Sequence, residues 1–200
     1  MHKKIKLIFF HPYSYLGGAD NSLRRLIENL DLNKFSITFI SLNKSYLKNI
    51  LINNIEFRQL KSKRTLFAIY EIKKILKNIE KSKNYKKIIL ISNQNFANVV
   101  ASFCIEKNSR IKSIFIDRNH LDELSFYKGN LDKIKKIVIK ILVKLRYQKA
   151  DRVVGICKKL SNDLQSYTNK KVIAIYSPSY DKKIIKKPKI KINLDKKYKY

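Results

Sequence analysis

An α/β fold with a parallel sheet is predicted by two patterns that repeat along these 200 residues. Short apolar runs rich in isoleucine, valine and phenylalanine alternate with longer segments whose apolar residues recur every three or four positions. The short runs indicate buried strands, and the longer segments indicate amphipathic helices. Because strands that alternate with helices form right-handed crossovers, the helices are expected on both faces of one sheet. The 44% hydrophobic content is sufficient for a sizeable core.

Seven strands are predicted, in an order that begins almost at the N-terminus. They span residues 5–10, 36–42, 55–60, 87–92, 111–116, 151–157 and 172–176. The run at 87–92, KIILIS, is apolar on both faces, as expected for a strand that is covered on both sides. The run at 55–60, IEFRQL, alternates more and is typical of a strand near a sheet edge.

Helices are predicted between these strands. The first follows the glycine pair at 17–18, and the others cover 44–53, 66–79, 96–104, 131–149 and 158–167. The helix at 131–149 is the longest and is basic and amphipathic. Its apolar side chains are expected to face the sheet: Leu131, Ile134, Ile137, Val138, Ile141, Leu142 and Leu145. Its basic side chains are expected to face outward: Lys133, Lys135, Lys136, Lys140, Lys144 and Arg146. Together these elements predict a Rossmann-like domain.

The loop between the first strand and the first helix carries a glycine pair. Gly17 and Gly18 are expected to allow positive φ and the close approach of another group, while Asp20 or Ser22 caps the helix. A helix start offers free N–H groups and the positive end of the helix dipole, which suit a diphosphate or a carboxylate. A glycine pair is weaker than a full dinucleotide fingerprint, so a plain strand–helix turn is the alternative.

Three polar loops follow strands of this predicted sheet, at residues 11–19, 93–95 and 117–120. Ligands of such sheets bind at the carboxyl ends of the strands, near the point where strand order reverses. The three loops are therefore expected to form one cleft. Asn93 or Asn95 is also expected to cap the helix at 96–104.

The formal net charge is +30, from 45 Lys and Arg against 15 Asp and Glu. The basic residues are spread along the whole chain, and Lys, Ile and Asn abound while Gly and Pro are few, as expected from AT-rich codons. This spread argues against a dedicated nucleic-acid role, as does the absence of a recognisable nucleic-acid motif. The lysine face of the helix at 131–149 is predicted either to rest on anionic lipid headgroups or to be solvated.

Cys104 and Cys157 are too few and too dispersed for a disulfide scaffold or a metal site. Cys104 falls on the apolar stripe of its helix and is expected in the core. The apolar run near the N-terminus is too short for a signal peptide or a membrane span. A cytoplasmic location is therefore expected, with peripheral contact at the inner face of the cytoplasmic membrane as an addition. Residues 1–180 are predicted to form the domain, and the basic stretch 181–200 a linker.

Four segments, in this order, resemble the N-terminal domain of glycosyltransferase family 4, whose members are retaining transferases of the two-domain GT-B fold. They are HPYSYLGGADNSLRRLIENL, FIDRNHLDE, RYQKADRVVGICKKLSNDL and KKVIAIYSPSYD. Asp20, Cys157 and Ser177 depart from the Glu, Ser and Asn common in the family. The family's second domain, which binds the nucleotide sugar, would begin where this chain ends, so the chain resembles half an enzyme.

The resemblance implies a nucleotide-sugar donor and needs no metal or other cofactor. It places the donor diphosphate near three residues, Gly17, Gly18 and Ala19. The acceptor cleft is expected to be lined by His11, Tyr13, Asn95 and Arg118. The catalytic residue is not identified, and weak candidates are Arg118, Asn119 and His120.

Each candidate has a structural alternative. Arg118 can pair with a phosphate through its guanidinium, or form a salt bridge with Asp122 or Glu123. His120 can accept a proton near neutral pH or simply be solvated, and His11 can be structural.

The expected function is that of a retaining glycosyltransferase, present as its N-terminal half and inactive without a C-terminal domain. Transfer would go to a hydroxyl of a sugar or lipid-linked acceptor, in glycan, lipopolysaccharide or glycolipid synthesis. The alternatives are a basic Rossmann-like module that binds nucleic acid or anionic membrane without catalysis, and a nonfunctional gene fragment.

Overall fold

The computed structural model describes residues 3–15, 17–42, 55–106, 109–126 and 129–178. Seven parallel strands form one sheet in the order β3-β2-β1-β4-β5-β6-β7. The strands are β1 (Ile5–Phe10), β2 (Phe35–Ser41), β3 (Glu56–Gln59), β4 (Lys87–Asn93), β5 (Ile111–Asp117), β6 (Arg152–Gly155) and β7 (Val172–Ala174). The predicted α/β class, the seven strands and the edge position of β3 are confirmed. The predicted helix at 44–53 and the linker at 181–200 lie outside the described residues.

Five α-helices connect these strands within the described ranges. They are α1 (Gly18–Glu28), α2 (Ile69–Lys81), α3 (Asn95–Cys104), α4 (Asn130–Arg146) and α5 (Lys158–Thr168). Among the described residues, three short 3-10 turns lie next to these helices. Thr65–Ala68 leads into α2, Leu121–Ser125 precedes α4, and Tyr147–Lys149 follows α4. In the described part of the chain, no helix is both long and apolar enough to cross a membrane.

Side chains of β1 alternate between two cores, one on each face of the sheet. Ile8 and Phe10 join the larger core, to which α2, α3, α4 and α5 contribute. Leu7 and Phe9 join the smaller core, which α1 covers with Leu23 and Ile27. Helices therefore cover both faces, as predicted. Cys104 lies in the larger core as expected, and burial raises the pKa of its thiol to about 12.

Strand order reverses beside β1, because β1 pairs with β2 on one side and with β4 on the other. The chain leaves β1 at Phe10, which is level with Ser92 near the end of β4. Farther along the sheet, Asp117 at the end of β5 is level with Gly155 at the end of β6. The loops that follow these four strands consequently share one edge of the sheet.

The stripe predicted to bury α4 is wrong for six of its seven residues and right for Leu142, which packs against the larger core. Leu131 is 85% exposed, Ile134 60% and Leu145 61%, whereas Ile139 and Val143 are buried. Ile139 and Val143 are four residues apart, on one face of the helix, and this face continues into Tyr147 of the following turn. Tyr147 is fully buried edge-on against Phe115, with the ring centroids 5.6 Å apart, so this narrower face packs on the sheet.

Candidate functional site

The carboxyl edge of the sheet carries a cleft of about 400 Å³ beside the start of α1. We call it the helix-start cleft. Its walls come from α1, from the residues after β5 and β6, and from the chain after β7: Gly18, Ala19, Asn21, Ser22, Arg25, Arg118, Asn119, Ile156, Ser177 and Pro178. The structure thus brings Gly18 and Ala19 together with Arg118 and Asn119, as the sequence predicted for loops at one edge.

The two glycines at the start of α1 leave open space, although not through the predicted positive φ. Gly17 has a φ of −80° as the residue that precedes the helix, and Gly18 is the first helical residue. A Cβ atom placed on either glycine would meet no other atom within 4 Å. The first N–H groups of α1 can therefore be approached closely by a ligand, which is the property that an anion site at a helix start requires.

The predicted capping of the first helical N–H groups by Asp20 or Ser22 is wrong, because no side-chain cap bond is made at the start of α1 by the described residues. Asp20 lies in the first turn of the helix and bonds back to the loop before it. Its Oδ2 accepts hydrogen bonds from the backbone N–H of Tyr15, at 2.8 Å, and of Gly17, at 3.1 Å. Its Oδ1 accepts a hydrogen bond from His11 Nε2 at 2.7 Å. Burial alone would raise the pKa of Asp20, but the bonds from His11 and the two backbone groups outweigh it and hold the pKa below its ordinary value.

His11 is buried, with 1% of its side chain exposed, so the predicted place in the acceptor cleft is wrong for this residue. Its ring packs edge-on near Phe39, with the centroids 6.4 Å apart, while Nε2 holds Asp20. The structural alternative for His11 is the one that the structure bears out. The sequence did not indicate that the polar His11, which follows a buried strand, would itself be buried.

Arg118 reaches across the helix-start cleft. Its Nε donates to Asn93 Oδ1 at 3.3 Å, and its Nη1 donates to Ser177 Oγ at 3.1 Å. Burial lowers the pKa of the guanidinium, and the charge of Asp20 opposes that shift. The salt bridge considered from the sequence is not formed, because Glu123 accepts from Asn119 and Asp122 contacts His120 within the described residues.

Arg25 and Ser22 complete the wall of the cleft, and the sequence did not assign either a place there. Arg25 Nη1 donates to the carbonyl of Pro178 at 2.9 Å. Arg25 Nε and Ser22 Oγ are both buried and find no hydrogen-bond partner among the described residues. The signal was available, since Gly18, Ser22 and Arg25 recur at spacings of four and three and so share one face of α1.

A second cleft of about 620 Å³ lies on the other side of the loop after β1. We call it the tyrosine cleft. It is lined by Pro12, Tyr13, Arg64, Thr65, Leu66, Gln94, Phe96 and Lys135. Tyr13 lines this cleft and Arg118 lines the helix-start cleft, so the predicted single acceptor cleft is divided into two. The Tyr13 ring stacks on Tyr15, with centroids 6.0 Å apart, and its hydroxyl donates to the Lys63 carbonyl.

Asn95 lies beside the tyrosine cleft and is 7% exposed, as the first residue of α3. Its Oδ1 is buried and has no hydrogen-bond partner among the described residues. The predicted capping of α3 by Asn93 or Asn95 is wrong, because the residue that precedes the helix is Gln94, with a φ of 79°. Asn93 instead accepts a hydrogen bond from Arg118.

His120 is held by carboxylates on both sides of its ring. Nδ1 lies 2.8 Å from Asp122 Oδ2, and Nε2 lies 2.5 Å from Asp163 Oδ2 on α5. One third of the side chain is exposed, at 33%. Both ring nitrogens are thus held by carboxylates, so His120 is not merely solvated.

A buried polar network lies beneath the ends of β4 and β5. Asn98 Nδ2 donates to Asp117 Oδ1 at 3.3 Å and to the Tyr147 hydroxyl at 2.9 Å, and Ser92 Oγ donates to Asn98 Oδ1. Complete burial raises the pKa of Asp117 to about 7, against the lowering effect of its bonds with Tyr147 and Asn98. The sequence placed Asp117 in the polar loop and gave no sign that Asn98 and Tyr147 would meet it.

Acidic, histidine and cysteine side chains do not gather into a metal site anywhere in the described ranges, where no group of three or more is found.

No protein-family model matches the sequence, and no curated protein matches it. Solved structures are similar in fold. Anabaena HepE, solved with UDP and glucose, superposes with a TM-score of 0.57 at 16% identity, over 88% of this chain and 45% of its own. Phytolacca americana UGT2, complexed with UDP-2-fluoro-glucose and pterostilbene, has a TM-score of 0.58 at 11% identity, over 88% and 53% of the two chains.

A UDP-N-acetylglucosamine 2-epimerase is also similar in fold to this chain, with a TM-score of 0.57 at 13% identity, over 88% of this chain and 49% of its own. The described chain has the fold of one half of a GT-B protein. It spans about half the length of the solved structures that it matches.

Proposed function

We propose that this chain is the acceptor-side half of a GT-B glycosyltransferase and that the donor diphosphate binds in the helix-start cleft. One observation carries the proposal. Ser22 Oγ and Arg25 Nε are buried and lack partners among the described residues, at a cleft that Arg118 and the open start of α1 also line. A buried polar group without a partner costs about 1–3 kcal/mol, and a bound anion would supply the missing partner.

The chemistry of the cleft suits a diphosphate leaving group. As a sugar departs from a nucleotide sugar, negative charge grows on the diphosphate oxygens. N–H groups at the start of α1 and the guanidinium groups of Arg25 and Arg118 are fixed in place before the reaction and stabilise that charge without rearranging. Gly17 and Gly18 leave the space in which the phosphate approaches.

The tyrosine cleft is proposed to hold the acceptor. It lies across the loop after β1 from the helix-start cleft, and it combines Tyr13 and Phe96 with the charges of Arg64 and Lys135. Aromatic faces suit the apolar faces of a sugar, and the two cations suit an acceptor that carries phosphate or carboxylate. Asn95 stands between two residues of this cleft, Gln94 and Phe96, and its buried, unpartnered Oδ1 is proposed to accept a hydroxyl hydrogen of the acceptor.

The resemblance to glycosyltransferase family 4 adds finer features to the proposal. They are retention of configuration, transfer to a hydroxyl of a sugar or lipid-linked acceptor, and a role in glycan, lipopolysaccharide or glycolipid synthesis. A second domain, joined in cis or binding in trans, is proposed to recognise the nucleoside and sugar. The single rim described here supplies the diphosphate and acceptor sides only.

The epimerase among the solved structures supports a second candidate function. A chain of this fold in an epimerase would bind the same diphosphate but would invert a sugar carbon and need no acceptor. Product analysis separates the two candidates. With UDP-N-acetylglucosamine as substrate, a changed sugar without an acceptor favours the epimerase, whereas UDP release that depends on an acceptor favours the transferase.

The test is a binding competition on the 200-residue chain. UDP binding is measured by calorimetry or NMR, and pyrophosphate and uridine are then added as competitors. Because the helix-start cleft offers donors for the diphosphate alone, pyrophosphate should displace UDP and uridine should not. Displacement by uridine alone, or tighter salt-sensitive binding of single-stranded RNA than of UDP, would overturn the proposal in favour of a nucleic-acid module.

A further inference from the structure

The exposed face of α4 is apolar along its whole length. We call it the α4 apolar face, and its residues are Leu131 (85% exposed), Ile134 (60%), Ile137 (42%), Val138 (46%), Ile141 (52%) and Leu145 (61%). Single exposed apolar residues are ordinary on protein surfaces, but a continuous row is a mark of an interaction surface.

The helix itself explains why this row is exposed. With 3.6 residues per turn, Ile141 lies about 160° around the axis from both Ile139 and Val143. Ile139 and Val143 are the residues that pack into the core. The α4 apolar face therefore points directly away from the sheet, and no rotation of the helix buries it without exposing the core residues.

Positive charge borders this face on both sides. Lys135 is exposed along one flank, and Lys133 and Lys144 are exposed along the other. The helix carries six Lys and Arg residues and one acidic residue, Asp132. Asp132 is turned away from the apolar face and pairs with Lys136, with their Oδ2 and Nζ atoms 3.2 Å apart. The result is an apolar strip with basic margins and without a carboxylate.

We propose that the α4 apolar face docks on the surface of an anionic lipid bilayer, with the helix lying in the plane of the interface. An apolar face buried at the headgroup boundary and flanking lysines among anionic headgroups are the two contributions that hold such helices. Each lysine near an anionic surface adds to this attraction. The inference stands on α4 alone and does not depend on the proposed transferase activity.

A second copy of the chain fits this face less well than a bilayer. From Leu131 to Leu145 the strip is about 21 Å long and about 10 Å wide, at 1.5 Å per residue. Stable protein interfaces bury about 800 Å² on each partner, which is several times that footprint. Pairing two copies would also bring their lysine margins together on chains of formal charge +30. On an anionic membrane, lipid headgroups would neutralise the lysines. Mobile lipids can also adapt to a strip this narrow.

Docking in this way would bring the tyrosine cleft near the lipid surface, because Lys135, which flanks the α4 apolar face, also lines the cleft. Leu66 and Phe96 line the same cleft. Lys135 Nζ lies 4.9 Å from the centre of the Phe96 ring. If the proposed transferase function holds, a lipid-linked acceptor could enter that cleft without leaving the bilayer.

The test is cosedimentation of the 200-residue chain with vesicles, compared between phosphatidylcholine alone and phosphatidylcholine containing one third phosphatidylglycerol. The test variant combines Ile134→Gln and Ile141→Gln, which remove exposed apolar surface from the strip and keep good helix formers. The control variant combines Ile173→Thr and Ile175→Thr, which remove two other exposed isoleucines near β7. Circular dichroism verifies that both variants are folded.

The wild type and the control should bind the anionic vesicles, and the test variant should bind about tenfold more weakly. All three should bind the neutral vesicles weakly. Equal vesicle binding by the test variant and the control would overturn the proposal, as would a wild type that ignores the anionic vesicles. If sedimentation equilibrium instead shows a dimer that only the test variant loses, while vesicle binding is unchanged, the face pairs with a second copy and the proposal is wrong.

Discussion

His11 and Asp20 form a buried pair beneath the loop that leads into α1, with Nε2 and Oδ1 2.7 Å apart and side-chain exposures of 1% and 6%. The remaining oxygen of Asp20 holds the backbone N–H groups of Tyr15 and Gly17. One carboxylate thus joins the end of β1 to the start of α1. The open glycine turn depends on this pair for its shape.

Replacing this carboxylate should destabilise the protein. Asp20→Ala removes the acceptor of three hydrogen bonds in a buried site, and unfolding in urea should show a loss of about 2–4 kcal/mol. Asp31→Ala is the control, because Asp31 is exposed on a turn, and it should cost much less than Asp20→Ala. Similar losses for the two variants would show that Asp20 does not organise the loop.

The same carboxylate should contribute to acid sensitivity. The pKa of Asp20 is lower in the folded protein than its ordinary value of 3.8. The folded state therefore binds this proton less readily than the unfolded state does. Its stabilising contribution is present above the ordinary value and is lost as pH falls through the lowered folded value. Urea unfolding between pH 5 and pH 2 should show a shallower acid loss for Asp20→Asn than for the wild type.

Asp117 should produce a dependence of the opposite sign. Burial raises the pKa of its carboxyl from 3.8 to about 7, so the folded state holds a proton that the unfolded state has released. Stability should fall as pH rises between these two values, by up to about 1.4 kcal/mol per pH unit from this group. The groups that face Asp117 are Asn98 and Tyr147, and neither changes charge in that range.

The measurement is urea unfolding at intervals from pH 4 to pH 8, for the wild type and for Asp117→Asn. Asn is close in shape to Asp and keeps an oxygen for the bond from Asn98, but it cannot ionise. The variant should lack the loss of stability between pH 4 and pH 7. An identical pH profile for both proteins would show that Asp117 is not the titrating group.

A substitution in the open glycine turn should weaken ligand binding without changing the stability of the protein. Gly18→Ala adds a methyl group where nothing lies within 4 Å, at the first residue of a helix, so the free energy of unfolding should change by less than about 0.5 kcal/mol. The methyl group would occupy space that the proposed diphosphate needs. UDP binding, measured by calorimetry, should weaken several-fold. Unchanged UDP binding would place the anion elsewhere.

Gly155 provides the contrasting case at the end of β6. A Cβ atom there would lie 2.5 Å from Ser161 Oγ and 3.0 Å from the Ser161 backbone nitrogen. Because backbone would have to move, Gly155→Ala should lower the free energy of unfolding by about 1–3 kcal/mol. Thermal or urea unfolding measures the change. A neutral result would mean that α5 shifts easily against the sheet.

The strands were predictable because they are short, strongly apolar and separated by helical patterns. β1 and its neighbour β4 fall within a residue of the predicted ranges. Strand order could not be read from the sequence, since every parallel order has the same alternation. The grouping of the polar loops at one edge was predictable because ligands of parallel sheets bind at the carboxyl ends of the strands. Arg118 and Gly18 line the same cleft at that edge, as this rule predicts.

The face of α4 could not be read from its apolar residues because the helix carries two apolar faces. The broader one holds Ile134 and Ile141, and the narrower one holds Ile139 and Val143. The face that packs inward is fixed by contacts distant in sequence, such as that of Tyr147 with Phe115 and those of Arg146 with Ser102. The place of Ser22 and Arg25 in the helix-start cleft was not predicted from the sequence. It depends on a contact distant in sequence, between Arg25 and the carbonyl of Pro178 in the chain after β7.

The central claim is that the helix-start cleft binds a diphosphate, and an NMR titration with UDP tests it most directly. The variants are Arg25→Ala, which removes a cleft cation, and Arg24→Ala, which removes an equal charge one residue away in a pair with Glu28. UDP should shift the backbone amide signals of residues 17–21, and Arg25→Ala should weaken binding about tenfold while Arg24→Ala changes it less than about twofold. Equal weakening by both variants, or shifts confined to other parts of the chain, would contradict the claim.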